Sequence, residues 1–275
     1  MRYESIDVRP LTPHVGAEIF GIDLTRPLSN HETEEINRAL LDHLVLFFRD
    51  QALEPASLKA LGRHFGTLHI HPNIPGPEGY PELLPIHADA NSKRVAGEMW
   101  HSDVSCDEIP PMGSILHLHT VPPAGGDTLF VSQIAAYDAL SPRLKIYLDG
   151  LTATHSGEHV YRSHNARDGR AETGKIYPTA VHPVIRTHPV SRRKLIFVNP
   201  MFTVKINELP RDESDAILRF LYTHATRPEF QARFRWQRNS AAFWDNRAVQ
   251  HMALWDYHPQ TRSGFRVTIT GDRPF

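Results

Sequence analysis

Short strand-like segments separated by turn residues run through most of this chain, and they leave few folds open to it. Ile6–Val8, Ala17–Ile19 and the compact apolar run Val45–Phe48 come first. Ser114–His119, Asp127–Val131, Ala180–Arg186, Lys194–Val198, Ala241–Phe243 and Gly264–Ile269 follow. Helical periodicity is confined to three stretches. Ser29 caps a helix reaching His43, with Glu32 completing a capping box and Ile36, Leu40 and Leu44 in phase. Pro55–Phe65 carries Leu58, Leu61 and Phe65 on one face, and Arg211–Ala225 does the same with Ile217, Phe220 and Leu221. Residues 69–99 are rich in Pro, Gly, Asn and Asp and predict a long loop. This pattern predicts a mainly β fold with flanking helices, an antiparallel barrel or jelly roll, and 275 residues suit a single domain spanning 1–275.

Composition narrows the partners. Thirty Lys+Arg against thirty-one Asp+Glu leave no footprint for nucleic acid or an anionic membrane, so any positive site must be local. No stretch approaches the roughly 18 to 20 apolar residues that span a bilayer. The first residues lack the apolar core of a signal peptide, and the lone Cys106 excludes an internal disulfide. A soluble, cytoplasmic protein acting on a small molecule is expected, with homo-oligomerisation left open.

With 18 histidines in the chain, a single one carries little information. His101-x-Asp103 carries more, because residues i and i+2 of an extended segment project to one face and can reach one ion. His251, far downstream, is the candidate third ligand. Two imidazoles and one carboxylate on one face of an octahedron leave three positions open, the arrangement of non-haem Fe(II) oxygenases. His69-x-His71 and His117-x-His119 share the i, i+2 geometry and could chelate zinc. For His117 and His119, solvent-facing alternation on a strand is the preferred reading. Arg262 and Arg266 share a strand face and can aim two guanidinium forks, which bind carboxylate or sulfonate bidentately, into one cavity.

The strings WHSDVS, PPAGGDTLF, FWDNRAVQH and RVTITGDRPF resemble the signature blocks of the taurine / dichlorophenoxyacetate dioxygenase family, in the family's order and spacing. The resemblance implies a double-stranded β-helix and an enzyme that uses Fe(II), 2-oxoglutarate and O2. It implies His101, Asp103 and His251 as iron ligands, with Thr128 and Arg262 gripping the distal carboxylate of 2-oxoglutarate. Arg266 and His71 match positions that face an anionic substrate, and Trp244 and Phe202 match aromatic residues near the iron. Core packing is an equal reading for Phe202.

Three positions depart from the taurine-type pattern. Ile74 replaces a tyrosine, Gly97 an asparagine and Cys106 a pocket phenylalanine. These changes predict a pocket more apolar on one wall and roomier on another. They favour an alkyl sulfonate, alkyl sulfate or aryloxyalkanoate over taurine, hydroxylated with release of succinate and CO2. The rival readings are a biosynthetic hydroxylase or desaturase of an amino-acid-like acid, and a non-catalytic metal-binding jelly-roll protein.

Overall fold

The computed structural model describes residues 3–70, 76–167, 169 and 174–275. In chain order its first elements are β1 (Asp7–Pro10), β2 (Ala17–Phe20), α1 (Asn30–His43), β3 (Val45–Phe48), α2 (Pro55–Arg63), β4 (Leu83–Ala88) and β5 (Gly113–Thr120). Next come β6 (Thr128–Ser132), α3 (Gln133–Asp138), α4 (Pro142–Leu148), β7 (Thr152–Ser156), α5 (Glu158–Arg167), β8 (Thr179–Pro183) and β9 (Ile185–Thr187). The chain ends with β10 (Lys194–Ile196), β11 (Thr203–Ile206), α6 (Arg211–Ala225), β12 (Gln231–Phe234), β13 (Ser240–Asp245), β14 (Val249–Ala253) and β15 (Arg262–Ile269). The fold is mainly β with several helices, as the strand pattern predicts.

A seven-stranded sheet, ordered β1-β2-β3-β13-β5-β15-β4, forms one wall. A three-stranded sheet, β12-β6-β14, packs across it. The alternation of side chains sorts the core. Val45 and Phe47 of β3 and Ala242 and Trp244 of β13 meet Phe130, Phe234 and Val249 of the small sheet, with Phe47 stacked on Phe234 at 4.0 Å between centroids. Leu46, Phe48, Ala241 and Phe243 point the other way, onto Ile36 and Leu40 of α1 and Leu58 and Leu61 of α2. Both faces of β3 are therefore covered, which is why that strand reads as unbroken apolar sequence. A third cluster joins α3 and α6 to the β7 and β10 region.

Ser29 caps α1 as expected: its hydroxyl accepts from Glu32 N, and the Glu32 carboxylate accepts from Ser29 N at 2.8 Å. Other expectations need correction. The predicted 69–99 loop contains β4, whose Pro85 disguises it. A residue without an N–H is tolerated there because β4 is an edge strand with β15 as its partner. Three helices, α3, α4 and α5, join α6 in the second half. The first two are helices of under two turns started by Ser132 and Ser141, too brief to show a period. The segment 180–186 is two strands, β8 and β9, in different sheets. His117 is buried on the helix-facing side of β5 rather than turned to solvent, and burial pushes its pKa down to about 4.

β15 positions both candidate arginines. It runs in unbroken register against β4, so Arg262, Gly264 and Arg266 share a face. Against β5 the register shifts between Ser263 and Gly264, and the backbones close up there. A Cβ on Gly264 would lie 1.9 Å from the carbonyl oxygen of His117. Gly264→Ala is expected to cost about 2–3 kcal/mol by forcing these strands apart, lowering the thermal midpoint by roughly 5–10 °C. A melting curve indistinguishable from wild type would show that the sheet absorbs the methyl group.

Candidate metal centre and active site

His101 and His251 are tied together through their backbones. His101 N donates to His251 O at 3.1 Å and His251 N to His101 O at 2.8 Å, a bridge that sets the two rings 4.2 Å apart. Asp103, two residues on, completes the group: the ligating atoms of His101, Asp103 and His251 all lie within 4.8 Å of one another, and all three residues are buried. The Nε2 atoms of His101 and His251 stand 3.6 and 3.8 Å from Asp103 Oδ1. Those gaps are too long for hydrogen bonds, so three lone-pair donors converge without satisfying one another.

The tautomer of His101 is fixed from behind. Its Nδ1–H donates to the Met99 carbonyl at 2.7 Å, which leaves the Nε2 lone pair facing the cluster. His251 Nδ1 has no hydrogen-bond partner among the described residues. Burial, then the neighbouring His101, holds the His251 pKa far below its ordinary value, so that ring is neutral at physiological pH. For Asp103 burial works toward protonation, but the Arg266 guanidinium on its Oδ1 overcomes it and keeps the carboxyl well below the usual range. Two imidazole nitrogens and a carboxylate oxygen fit a divalent transition metal.

Asp103 is held at four points. Asn246, at the β13–β14 turn, accepts from Asp103 N at 2.6 Å and donates to Asp103 O at 3.0 Å and Pro111 O at 3.1 Å. Ser114 donates to Oδ2 at 3.1 Å and Arg266 to Oδ1 at 2.8 Å. The next residue, Val104, sits at φ 48, a left-handed conformation that a β-branched side chain resists. On the other flank Gly97 has φ 80, and a Cβ there would approach His101 Cε1 to 2.9 Å. The absence of a side chain at 97 thus lets the loop pass over the imidazole.

Arg262 is buried, and burial pulls its pKa down to about 10, so it stays cationic at neutral pH. It donates to Gly126 O at 3.1 Å and Thr128 Oγ1 at 3.4 Å, and no carboxylate of the described residues pairs with it. It lines a cavity of about 480 Å³ together with Ile86, Ala88, Lys93, Ala253 and Tyr257. A buried cation without a counter-ion is costly unless an anion completes it. Thr128 Oγ1 also accepts from Trp236 Nε1 at 2.9 Å, so its own proton is free for another acceptor.

Trp244 packs its ring 4.8 Å from that of His251 and also belongs to the core. Phe202 is buried, and its ring neighbour among the described residues is Tyr161, at 6.5 Å, rather than a ligand histidine. Cys106 has no exposed surface. The Tyr161 ring, on α5, and the Cys106 sulfur both crowd the place where a side chain on Gly157 would have to go, so the extra room expected beside Cys106 is filled by an aromatic ring. His71 and Ile74 lie outside the described residues. Sequence reasoning missed Asn246, Ser114, Trp236 and Tyr161. Asn246 stood inside a recognised block, but its role depends on a turn that no pattern reveals.

Truncating Asn246 leaves the buried N–H and C=O of Asp103 unpaired. Asn246→Ala should weaken binding of Mn(II) to the metal-stripped protein by about 10- to 100-fold and lower stability by about 1–3 kcal/mol. Calorimetric titration and a thermal melt measure the two effects. Unchanged Mn(II) affinity would show that Asp103 is held without the amide.

Comparison with known proteins agrees with this geometry. A family model described as taurine catabolism dioxygenase TauD, TfdA family, matches residues 7–268. An alpha-ketoglutarate-dependent sulfonate dioxygenase of Saccharomyces cerevisiae is 35% identical over 98% of this chain and 68% of its own length. An alpha-ketoglutarate-dependent sulfate ester dioxygenase of Pseudomonas putida is 35% identical over 98% of this chain and 91% of its own. The crystal structure of a taurine dioxygenase from Burkholderia xenovorans superposes with a TM-score of 0.85, at 37% identity, covering 98% of this chain and 91% of that one. With the family model spanning all but the two ends, the chain belongs to the TauD/TfdA family of non-haem iron dioxygenases dependent on alpha-ketoglutarate (2-oxoglutarate).

Proposed function

We propose that this protein uses Fe(II), 2-oxoglutarate and O2 to hydroxylate a small organic anion with an apolar tail, releasing succinate and CO2. The observation that carries the reading is a buried N,N,O donor set, with His251 on the small sheet, together with a buried arginine on the large sheet that no carboxylate of the described residues pairs with. His101, Asp103 and His251 would hold the iron, which supplies O2 activation and a chelation point for the 2-oxo acid. Arg262 and the free proton of Thr128 hold the distal carboxylate of the cosubstrate. Phe130, stacked on His251, and Trp244, tilted against it, keep water away from that side. Arg266 faces the anionic head of the substrate. A hydroxylated carbon that bears a sulfonate, sulfate ester or ether oxygen then collapses to a carbonyl and expels that group.

The large and small sheets, packed face to face about Phe47, Phe130 and Trp244, we read as the two halves of a double-stranded β-helix. A single domain over 1–275, working in the cytoplasm where Cys106 stays a thiol, completes the proposal.

The substrate class rests on relatives named for sulfonates and sulfate esters. Each buried methylene contributes about 0.8 kcal/mol, so three or four extra carbons supply roughly 2–3 kcal/mol, about a hundredfold in affinity. Substrate-dependent succinate release should therefore favour pentanesulfonate, hexyl sulfate or a phenoxypropionate over taurine in kcat/KM, and Asp103→Ala should abolish it. Taurine ahead by tenfold would exclude the apolar-tail reading.

Arg262→Lys replaces a planar fork with a point charge and should raise the KM for 2-oxoglutarate while leaving metal affinity alone. Losing such a buried charge pair costs on the order of 2–5 kcal/mol. If KM for 2-oxoglutarate stays at the wild-type value, the distal carboxylate is held elsewhere.

A further inference from the structure

Arg266 and a metal ion would contend for one atom. Asp103 Oδ2 is occupied by the Ser114 hydroxyl at 3.1 Å. Oδ1 is the oxygen that faces Nε2 of both histidines, at 3.6 and 3.8 Å, and it is this oxygen that the Arg266 guanidinium holds at 2.8 Å. A cation entering the donor set is drawn by the carboxylate and repelled by a second positive charge on the same oxygen. Arg266 Nε is buried with no partner among the described residues, so the guanidinium has donor capacity left over. The space beside it, lined by His69, Leu83, Val104 and Thr268, is only about 10 Å³, too small for any ligand. With Arg266 on Asp103, the place for an anionic head group is closed.

We propose that Arg266 couples metal binding to anion binding: it is the counter-ion of Asp103 in the metal-free protein, and an anionic substrate that draws it off Oδ1 tightens the hold on the metal. The inference rests on the reading of His101, Asp103 and His251 as a metal centre. The ion pair stabilises the metal-free state, because a buried carboxylate without compensation is strongly unfavourable. The metal takes over that compensation, which frees the guanidinium to turn toward a sulfonate, sulfate or carboxylate. Linkage makes the effect reciprocal: bound metal improves the anion's affinity by the same factor by which the anion improves the metal's.

The test is calorimetric titration of the metal-stripped protein with Mn(II), with no 2-oxoglutarate present. Arg266→Gln removes the competing charge and should bind Mn(II) about tenfold more tightly than wild type, within the usual range of coupling between sites. Pentanesulfonate should tighten Mn(II) binding to wild type, relative to sodium chloride at equal ionic strength, and should have no effect on Arg266→Gln. Equal or weaker Mn(II) binding by the variant, or a pentanesulfonate effect that survives the substitution, would overturn the coupling. Failure of both proteins to bind Mn(II) would overturn the metal-centre reading together with it. Should Arg266→Gln fail to fold, the pentanesulfonate titration of wild type decides alone: no tightening means no coupling.

Discussion

A carboxylate buried in a β core is the constraint around which this molecule is organised. Asp103 has almost no contact with solvent, and an isolated charge in that position would protonate or unfold its surroundings. It does neither, because each of its polar atoms is met. Asn246 takes its backbone N–H and C=O, Ser114 takes one carboxylate oxygen and Arg266 the other. These partners come from the β13–β14 turn, β5 and β15, three parts of the chain that are remote in sequence. The sheet order is what brings them together, since β13, β5 and β15 lie side by side. The requirement for compensation therefore ties the register of the large sheet to the geometry of a single side chain.

The same turn that clamps Asp103 is itself anchored. Asp245 is fully buried and pairs with Arg247 at 2.6 Å and His188 at 3.0 Å. Burial works toward protonating it, but those two partners hold its carboxyl far below the ordinary range. Asn246 donates its backbone N–H to Met112 O at 2.9 Å, and Gln133 N reaches Ala248 O. The turn is thus over-determined, and it has reason to be. Val104 is held in a left-handed conformation next to the candidate metal ligand Asp103, and such a residue persists only where its neighbours leave it no alternative. Rigidity at 245–248 and strain at 104 are two sides of one arrangement.

Much of this was legible in the sequence where the physics is local. Ser29 and Glu32 announce a helix start because both capping bonds are made within four residues. Val45–Phe48 announces a strand covered on both faces because nothing polar interrupts it. The i, i+4 spacing of Arg262 and Arg266 places both side chains on one strand face without knowledge of the fold, whereas Asp103 lies in a turn just past the isolated bridge at His101, so the i, i+2 spacing named the right pair for a segment that is not a strand. What stayed hidden depends on partners far along the chain. Pro85 argues against a strand until β4 is seen to lie at a sheet edge. His117 looks like the outward half of an alternation until helices are seen to cover that face of β5. Cys106 promises space until Tyr161, from a helix with no strong periodic signal, is found filling it. Asn246 belongs here too, since an asparagine in a turn usually serves its own backbone and this one serves the backbone of Asp103 across the core.

The two arginines of β15 show how one strand face can hold like residues in opposite electrostatic states. Four residues apart in unbroken register with β4, Arg262 lies opposite Ala88 and Arg266 opposite Leu84. Arg262 emerges beside Gly126, Thr128 and Trp236, a surround of carbonyl, hydroxyl and indole that orients a guanidinium but does not neutralise it. Its charge is left for something that enters the adjoining cavity. Arg266 emerges beside Asp103 and is neutralised from within the protein, beside a space too small to admit a ligand. Exchanging these surroundings would exchange the roles, since the side chains are identical and the backbone path between them is regular. Function on this strand is therefore set by what the neighbouring strands place opposite each guanidinium: an open cavity for Arg262, and for Arg266 a carboxylate that a metal can claim.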